Sequence, residues 1–446
     1  MNSPTVYLPI EIVAREMWAK ALLALELVRL GCDVVIGHKG HVLKYALLQQ
    51  SPGLYLNKSV GTTNNLEYYE KLKANGIRLF AQDEEHGATL RDYRDFFVSR
   101  KGLADIGVLD GFLCWGLNDY KFLQQMFPDF SRQLHMTGSP RVALWGDSGK
   151  LLLNEQIKSL RQTHGEYTLL ATNFPLANSV LRSRALSKLR SQFSTNVDTF
   201  EDKFRFRLHA EKQHLAKTLE LVAQFQKRSE RLVLRPHPTE NPRFWQEVTR
   251  QMPHILVDCA SYSSALVLGA SSVIHSNSTL GFEAVASKVR SFSFTSTSLE
   301  DIYASHIVNS VSPSFSEPSS YFETNIDWST EEQRIGQQIT ANRFHSAGTL
   351  ESVNAIAKLI LREFSLPLSD SYPEITSNIL LTLLRETRIY RLLTQSKLTR
   401  VKQSRINRFL LDDVLYHLSK SGGGLRLQVN QVGPSTFKLR RYLGSF

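Results

Sequence analysis

Short apolar runs alternate along this chain with longer stretches of helical periodicity. Thr5 to Leu8 is an apolar run of strand length, Glu11 to Leu30 carries apolar residues at helical spacing and stops at Gly31, and Cys32 to Gly37 is again a compact buried-strand run. The chain therefore opens on a β-α-β unit, with Gly37 where the second strand meets a ligand or a turn. The alternation continues through a helix at Asn65 to Asn75, a strand at Ile77 to Ala81, a segment at Leu109 to Trp115 and a helix at Asp119 to Met126. Strands alternating with helices predict a doubly wound α/β domain.

After Gly138-Ser139-Pro140-Arg141 a polar helical stretch leads to Tyr167 to Thr172, the first strand of a second alternating set, with a hinge expected near residues 140 to 165. A long amphipathic helix follows from about Phe204 to Gln226, then strands at Arg231 to Arg235, His254 to Val257 and Ser272 to His275, and a helix from near Thr279. Ser310 to Ser329, rich in Ser, Pro and aromatics, predicts a long ordered loop, and a helix at Ser352 to Phe364 closes the second domain. Beyond Leu366-Pro367 come a helix at Tyr372 to Leu393, a basic helix-like stretch to Tyr416, a Ser-Gly-Gly-Gly run and a short β-rich end. The domains expected are 1–150, 151–365 and a basic, mainly helical extension over 366–446. A chain of 446 residues exceeds what one core usually organises, in agreement with that division.

Hydrophobic content of 42% and charged content of 21% are those of a globular protein and exclude long disorder. The N-terminus lacks a basic segment followed by an apolar run, and no stretch approaches eighteen apolar residues, so a cytoplasmic location is expected. Cys32, Cys114 and Cys259 are far apart and without metal-ligand spacing, and are expected as buried small hydrophobes. The net charge of +11 sits almost wholly at the end: thirteen Lys or Arg face three Asp or Glu between Leu384 and Phe446. There Arg385, Arg388, Arg391, Lys397, Arg400, Lys402, Arg405 and Arg408 interleave with apolar residues. Such a segment suits an anionic membrane surface, placing the protein peripherally at the inner membrane; a basic outer face on a packed helix is the other reading. A nucleic-acid partner is not expected, since no aromatic platform or known binding motif accompanies the charge.

Three constellations carry chemistry. Leu232-Val233-Leu234-Arg235-Pro236-His237-Pro238 is an apolar strand delivering Arg235 and His237 into a proline-flanked turn, at the strand end where α/β folds bind nucleotides. The turn either presents His237 to a phosphate or uses it to cap a helix. Val273 to Ala284 passes from a strand through His275-Ser276-Asn277-Ser278-Thr279 into a helix, where Ser278 and Thr279 cap the helix or meet an anion, and Glu283 accepts from ribose hydroxyls or seals the cap. Together, on strand ends of one domain, the two favour a nucleotide-phosphate site. In the other domain the strand Ile77 to Ala81 runs into Gln82-Asp83-Glu84-Glu85-His86-Gly87. Mutual repulsion there is expected to raise the pKa of at least one carboxylate, as a general base requires, unless the run is a solvated acidic turn. Weaker candidates are Arg15 and Glu16 as cleft residues or a surface ion pair, Asn173 beside the donor, and Lys39 with His41 as ligand contacts or a surface loop. The absence of GxGxxG, Walker A and paired CxxC motifs in a convincing context lowers dehydrogenase, kinase and metalloenzyme readings.

Pro9-Ile10-Glu11 with Ala14-Arg15-Glu16, Gly37 with Lys39, Asp83-Glu84-Glu85, Trp115-Gly116, Gly138-Ser139-Pro140-Arg141, Thr172-Asn173-Phe174, Arg235-Pro236-His237-Pro238 and His275 to Ala284 resemble the surface carbohydrate biosynthesis protein family, through roughly residues 5 to 365. The His-Pro and Ser/Thr elements are more distantly similar to bacterial sialyltransferases and capsule Kdo transferases. That resemblance implies a GT-B-like fold of two Rossmann-like domains facing a cleft, an acceptor domain followed by a donor domain. It implies a glycosyltransferase of surface polysaccharide (capsule, O-antigen or lipopolysaccharide) assembly. The donor would be a CMP-activated ulosonic acid such as Kdo or sialic acid, and the acceptor a glycan or lipid-linked sugar. Arg235, His237, Ser278, Thr279, Glu283 and Asn173 would hold the donor nucleotide; Glu84, Glu85 or Asp83 would move the proton; Arg15, Glu16 and Lys39 would line the acceptor side. Where retaining Kdo transferases carry a nucleophilic Asp this chain offers Asn173 and Asn178, which favours single, inverting displacement. No cofactor and no metal are expected, because Arg235, His237 and a helix N-terminus can offset leaving-group charge. Transfer of an alditol phosphate from a CDP donor, as in teichoic-acid polymerases, and a non-catalytic scaffold of polysaccharide assembly are the alternatives.

Overall fold

The computed structural model describes residues 3–49, 52–59, 66–84, 93, 103–179, 197–296, 306–323, 330–364, 411–412, 414–415, 427–433 and 435–441. These fall into two compact units: the first takes the described residues up to Leu153 and from Ala341 onward, the second takes Asn154–Thr340.

In the first unit, β1 (Thr5–Ile10), β2 (Asp33–His38), β3 (Gly53–Asn57), β4 (Ile77–Ala81), β5 (Gly111–Cys114) and β6 (Leu134–Met136) run parallel in the order β2-β1-β3-β4-β5-β6. Parallel neighbours require crossovers, here made by α1 (Val13–Arg29), α2 (Lys39–Leu48), α3 (Leu66–Ala74) and α4 (Leu117–Met126). The winding reverses between β1 and β3. Apolar side chains such as Val35, Tyr55, Leu79 and Phe112 fill the core. Two short helices, α5 (Pro140–Ala143) and α6 (Gly146–Leu152), lead out of this unit. Pro140 sits at the first position of α5 and the Ser139 hydroxyl accepts from the Arg141 amide, an ordinary helix start.

The second unit begins with α7 (Asn154–His164). Its sheet comprises β7 (Thr168–Ala171), β8 (Leu232–Arg235), β9 (Ile255–Val257), β10 (Ser272–His275), β11 (Arg290–Phe294) and β12 (Ser314–Phe315), parallel throughout and ordered β12-β11-β10-β7-β8-β9. That is the dinucleotide-fold order 3-2-1-4-5-6, with its reversal between β7 and β10. The connections carry α8 (Val197–Lys227), α9 (Pro242–Val248), α10 (Ser263–Gly269) and α11 (Leu280–Ala286), around a core in which Phe174, Phe225, Trp245, Phe292 and Phe294 are buried. Then come α12 (Ser320–Glu323), α13 (Thr330–Arg343) and α14 (Glu351–Glu363). The fold is therefore α/β, two Rossmann-like doubly wound sheets.

Several expectations change. Helix α14 packs with α1 and α5 of the first unit rather than closing the second; its apolar stripe of Val353, Ile356, Ala357 and Ile360 is buried there. Lys39 and His41, expected in a surface loop, open α2, where the His38 ring accepts from the Gly40 amide. Cys32 and Cys114 are buried, but Cys259 is exposed. The described part of Ser310 to Ser329 contains β12 and α12 rather than only loop. The basic segment from Arg385 to Arg408 lies outside the described residues, and no helix among those described is long and apolar enough to cross a membrane.

The β-rich end completes the first sheet. Strands β13 (Leu427–Gly433) and β14 (Thr436–Arg441) form an antiparallel hairpin, and β14 pairs antiparallel with β2. Phe437 and Leu439 are buried, and Asp33 receives Lys438 at 2.7 Å and Arg440 at 2.9 Å. Gly37, expected to meet a ligand or a turn, meets this hairpin: a Cβ there would overlap the Ser435 carbonyl oxygen and the Thr436 backbone. Gly37→Ala should therefore lift the hairpin, costing about 1–3 kcal/mol by overpacking and speeding tryptic cleavage after Lys438 and Arg440. Urea unfolding and timed proteolysis indistinguishable from wild type would show that the hairpin does not need the glycine.

Candidate functional site

Where a parallel sheet reverses its winding, flanking connections leave on opposite faces and a crevice opens at the carboxyl ends of the two central strands. In the second unit those ends are Ala171-Thr172-Asn173 after β7 and His275 to Thr279 after β10; β8 alongside ends in Arg235 and the His237 turn. The sheet thus brings together on one edge the two segments that the sequence singled out forty residues apart.

His237 is exposed. Its Nδ1 accepts from the Thr239 amide at 3.3 Å and lies 2.8 Å from the Thr239 hydroxyl. An amide nitrogen can only donate, so the neutral ring carries its proton on Nε2. The Nε2 atom of His237 is therefore a donor, of the kind that suits a phosphate oxygen and not one that takes a proton. Ser278 and Thr279 are half-buried at the end of β10; the Ser278 hydroxyl accepts from the Leu280 amide at 3.3 Å, while Thr279 stands at the N-cap of α11 without a side-chain cap bond. Asn173 donates to the Asn277 carbonyl at 3.4 Å, linking the two strand ends across the reversal. Asn277 holds φ at +51°, in the left-handed region that asparagine tolerates.

Other residues of that set turn inward. Arg235, expected on the donor phosphate, donates to the Asp258 carbonyl at 3.0 Å and lies 3.7 Å from its carboxylate. Asp258 is further held by Ser261 and His164, and burial lowers the Arg235 pKa despite the Asp258 charge. Its guanidinium ties β8 to the segment after β9. Glu283, expected at ribose hydroxyls, is only 3% exposed. Asn178 donates to Glu240 and to the Asn241 carbonyl, a structural placement. His275 is fully buried with its ring against Gly281, where any Cβ would collide, and burial lowers its pKa to about 4.

The carboxyl edge of the first sheet is dense in charge. At its own reversal, Glu11 after β1 pairs with Lys58 after β3, and with Lys39 of α2 at 2.6 Å. Burial would raise the Glu11 pKa, but Lys58 and Lys39 outweigh it and hold it at about 2. Glu16 is fully buried, accepting from the Glu11 and Ile12 amides and from Arg15 at 2.8 Å, so it closes the N-terminus of α1. Arg15 and Glu16 are a partly buried pair rather than a surface one.

The acidic run departs most from expectation. Asp83 and Glu84 are each 2% exposed. The Asp83 carbonyl accepts from the Trp115 indole at 3.0 Å and the Glu84 carbonyl from Arg141 at 2.8 Å, while Gln82 donates to the Gly138 carbonyl. The Glu84 carboxylate lies 2.8 Å from Lys20 of α1, itself 1% exposed. Burial alone would raise its pKa, but Lys20, Arg141 and Arg15 carry it below the ordinary carboxylate value, the reverse of the shift that repulsion along the run predicts. The opposing charge of Lys20 comes from sixty-four residues upstream, and nothing local to the run announces it. Glu85 and His86 lie outside the described residues. Among the described residues no group of three or more His, Cys, Asp or Glu side chains is placed to hold a metal ion.

No protein-family model and no curated protein matches this chain. Solved structures do: the wall teichoic acid polymerase TagF, at 12% identity and TM-score 0.46 over 81% of this chain and 89% of that one; and MnaA of S. aureus with UDP, at 11% and 0.47 over 83% and 99%. A UDP-N-acetylglucosamine 2-epimerase matches at 11% and 0.46 over 84% and 100%. The architecture of this chain rests on its own strand order.

Two outcomes follow from the geometry. Lys20→Met removes the cation in contact with the buried Glu84 carboxylate and leaves Arg141 and Arg15 to offset its charge only in part, so stability at pH 7 should fall by about 3–5 kcal/mol. Because the native Glu84 pKa is depressed, its stabilisation is present at neutral pH and is lost only as pH falls through the folded value. In the variant the carboxyl protonates readily, and the gap from wild type should narrow towards pH 4 in urea titrations; a gap independent of pH would refute the ionised pair. For His237, long-range ¹⁵N NMR on the neutral ring should show the Nε2–H tautomer, whereas the Nδ1–H form would remove its role as an Nε2 donor.

Proposed function

We propose that this chain is a sugar-nucleotide-dependent glycosyltransferase of bacterial surface-polysaccharide assembly, with the donor nucleotide held at the β7/β10 crevice of the second unit. The observation that carries this reading is the placement of the His237 ring, with its proton on Nε2, and of the Ser278 and Thr279 hydroxyls along the same carboxyl edge, at the reversal of a 3-2-1-4-5-6 sheet. Such donors stabilise negative charge on a departing nucleotide without reorganising as it develops. Arg235 serves by bracing β8, and Glu283 by its place in α11.

The donor we propose is a CMP-activated ulosonic acid such as Kdo or sialic acid. The acceptor is a glycan or lipid-linked sugar, approaching the carboxyl edge of the first sheet with Lys39 and Arg15 among its contacts. The basic segment from Arg385 to Arg408 keeps the enzyme at an anionic membrane surface. An acceptor hydroxyl is a poor nucleophile until its proton is taken. Asp83 and Glu84 are buried and Glu84 is paired with Lys20, which favours Glu85, the next residue of the run, as the base and a holding role for Glu84. Asn178 is committed to Glu240 and Asn173 is an amide, so displacement is single and inverting.

A ligand that binds only the folded state raises its melting temperature, so a thermal-shift comparison of CMP, CDP, UDP and GDP tests the donor. Cytidine nucleotides should stabilise the wild type, and the Ser278→Ala/Thr279→Ala and His237→Ala variants should lose most of that shift. Stabilisation by UDP or GDP alone would contradict the CMP donor. With membranes as acceptor source, Glu85→Gln should abolish transfer; transfer of alditol phosphate from a CDP donor to the acceptor, with CMP released, would instead place the chain among phosphotransferases.

A further inference from the structure

Four hydrogen-bond donors from four separate places in the second unit converge on one buried carboxylate, that of Glu240, which is 1% exposed. One oxygen accepts from the Thr172 hydroxyl at 2.8 Å and from the His237 amide at 2.9 Å. The other accepts from the Trp245 indole at 2.9 Å and from the Asn178 amide at 3.2 Å. The Glu240 amide closes the turn by donating to the His237 carbonyl at 2.8 Å. Thr172 belongs to the end of β7 and His237 to the turn after β8, so a single side-chain oxygen ties together two strand ends bordering the crevice.

We propose that Glu240 is a positioning residue for the donor phosphate, fixing the His237 turn against the end of β7 so that His237 Nε2 and the Thr172-Asn173 strand end keep one geometry. The inference rests on the nucleotide reading of the β7/β10 crevice. Glu240 itself touches no substrate. Its chemistry explains why a carboxylate stands here: all four partners donate, and only a group with acceptors on both ends satisfies them. An amide in its place keeps one acceptor and sets an NH₂ against two donors, leaving that half of the cluster unmatched inside the protein. Burial holds the Glu240 pKa above the ordinary carboxylate value, and the bonds from Trp245, the His237 amide, Thr172 and the Phe174 amide offset only part of that rise.

The test compares Glu240→Gln with Trp245→Phe in the full chain. Trp245→Phe removes one donor from the far oxygen and touches neither His237 nor Thr172, so it loses stability without losing the turn. Isothermal titration with CMP reads affinity; ¹⁵N and ¹H spectra of the ligand-free His237 ring read its tautomer and its order. Glu240→Gln should weaken CMP roughly tenfold to a hundredfold, the loss expected for disrupted hydrogen bonds to a charged group, and should broaden or average the His237 ring signals. Trp245→Phe should lower the melting temperature while keeping CMP affinity and the His237 spectrum of wild type. Equal loss in both variants, or an unchanged His237 ring in Glu240→Gln, overturns the positioning role. Wild type that fails to bind CMP overturns the nucleotide reading instead, with the His237 spectra still deciding whether Glu240 orders the turn.

Discussion

A parallel sheet can gain strands on both sides of its starting strand only if its crossovers change face, and at that change no connection covers the carboxyl ends of the two central strands. Both units are wound this way, outward from β1 and β3 in the first and from β7 and β10 in the second. The chemistry-bearing residues follow from that constraint. Glu11 and Lys58 meet across the first reversal and Asn173 and Asn277 across the second. His237, Ser278 and Thr279 stand at the same sheet edge.

The two edges differ in how they treat charge. On the first, carboxylates are matched by cations, Glu84 and Glu11 by Lys20, Lys39 and Lys58 of other segments and Glu16 by its neighbour Arg15. An ion removed from water is tolerated only when so matched, and removing one partner costs more than the pair contributes. On the second, the buried carboxylate of Glu240 is matched by neutral donors, and His237 carries its ring proton on Nε2. A rigid scaffold carrying preset donors is what a departing phosphate requires.

Much of this was legible in the residues. Strand Ile77–Ala81 and strand Ser272–His275 fall where apolar runs put them, because buried parallel strands declare themselves by continuous hydrophobicity. Strand Arg290–Phe294 did not, since Ser291 and Ser293 alternate with its phenylalanines and are nonetheless fully buried. The His-Pro turn and the Ser278-Thr279 segment were found by their place after strands. Glu240 was passed over although it lies three residues after His237, because its significance comes from Thr172, Asn178 and Trp245, which the fold alone collects. The same blindness to distant partners reversed the reading of Glu84, whose cation is on α1, and of Arg235, whose anion follows β9. The hairpin β13–β14 was visible as a β-rich end, but its attachment to β2 through Gly37 and Asp33 spans the length of the chain.

The proposed site for nucleotide phosphate lies between the ends of β7 and β10. A crystal structure of the chain with a cytidine nucleotide decides it. Phosphate oxygens should lie within hydrogen-bond distance of His237 Nε2 and of the Ser278 or Thr279 hydroxyl. Phosphate at the opposite, amino end of the same sheet, in the groove lined by Arg161, Ser271 and Arg290, would contradict it.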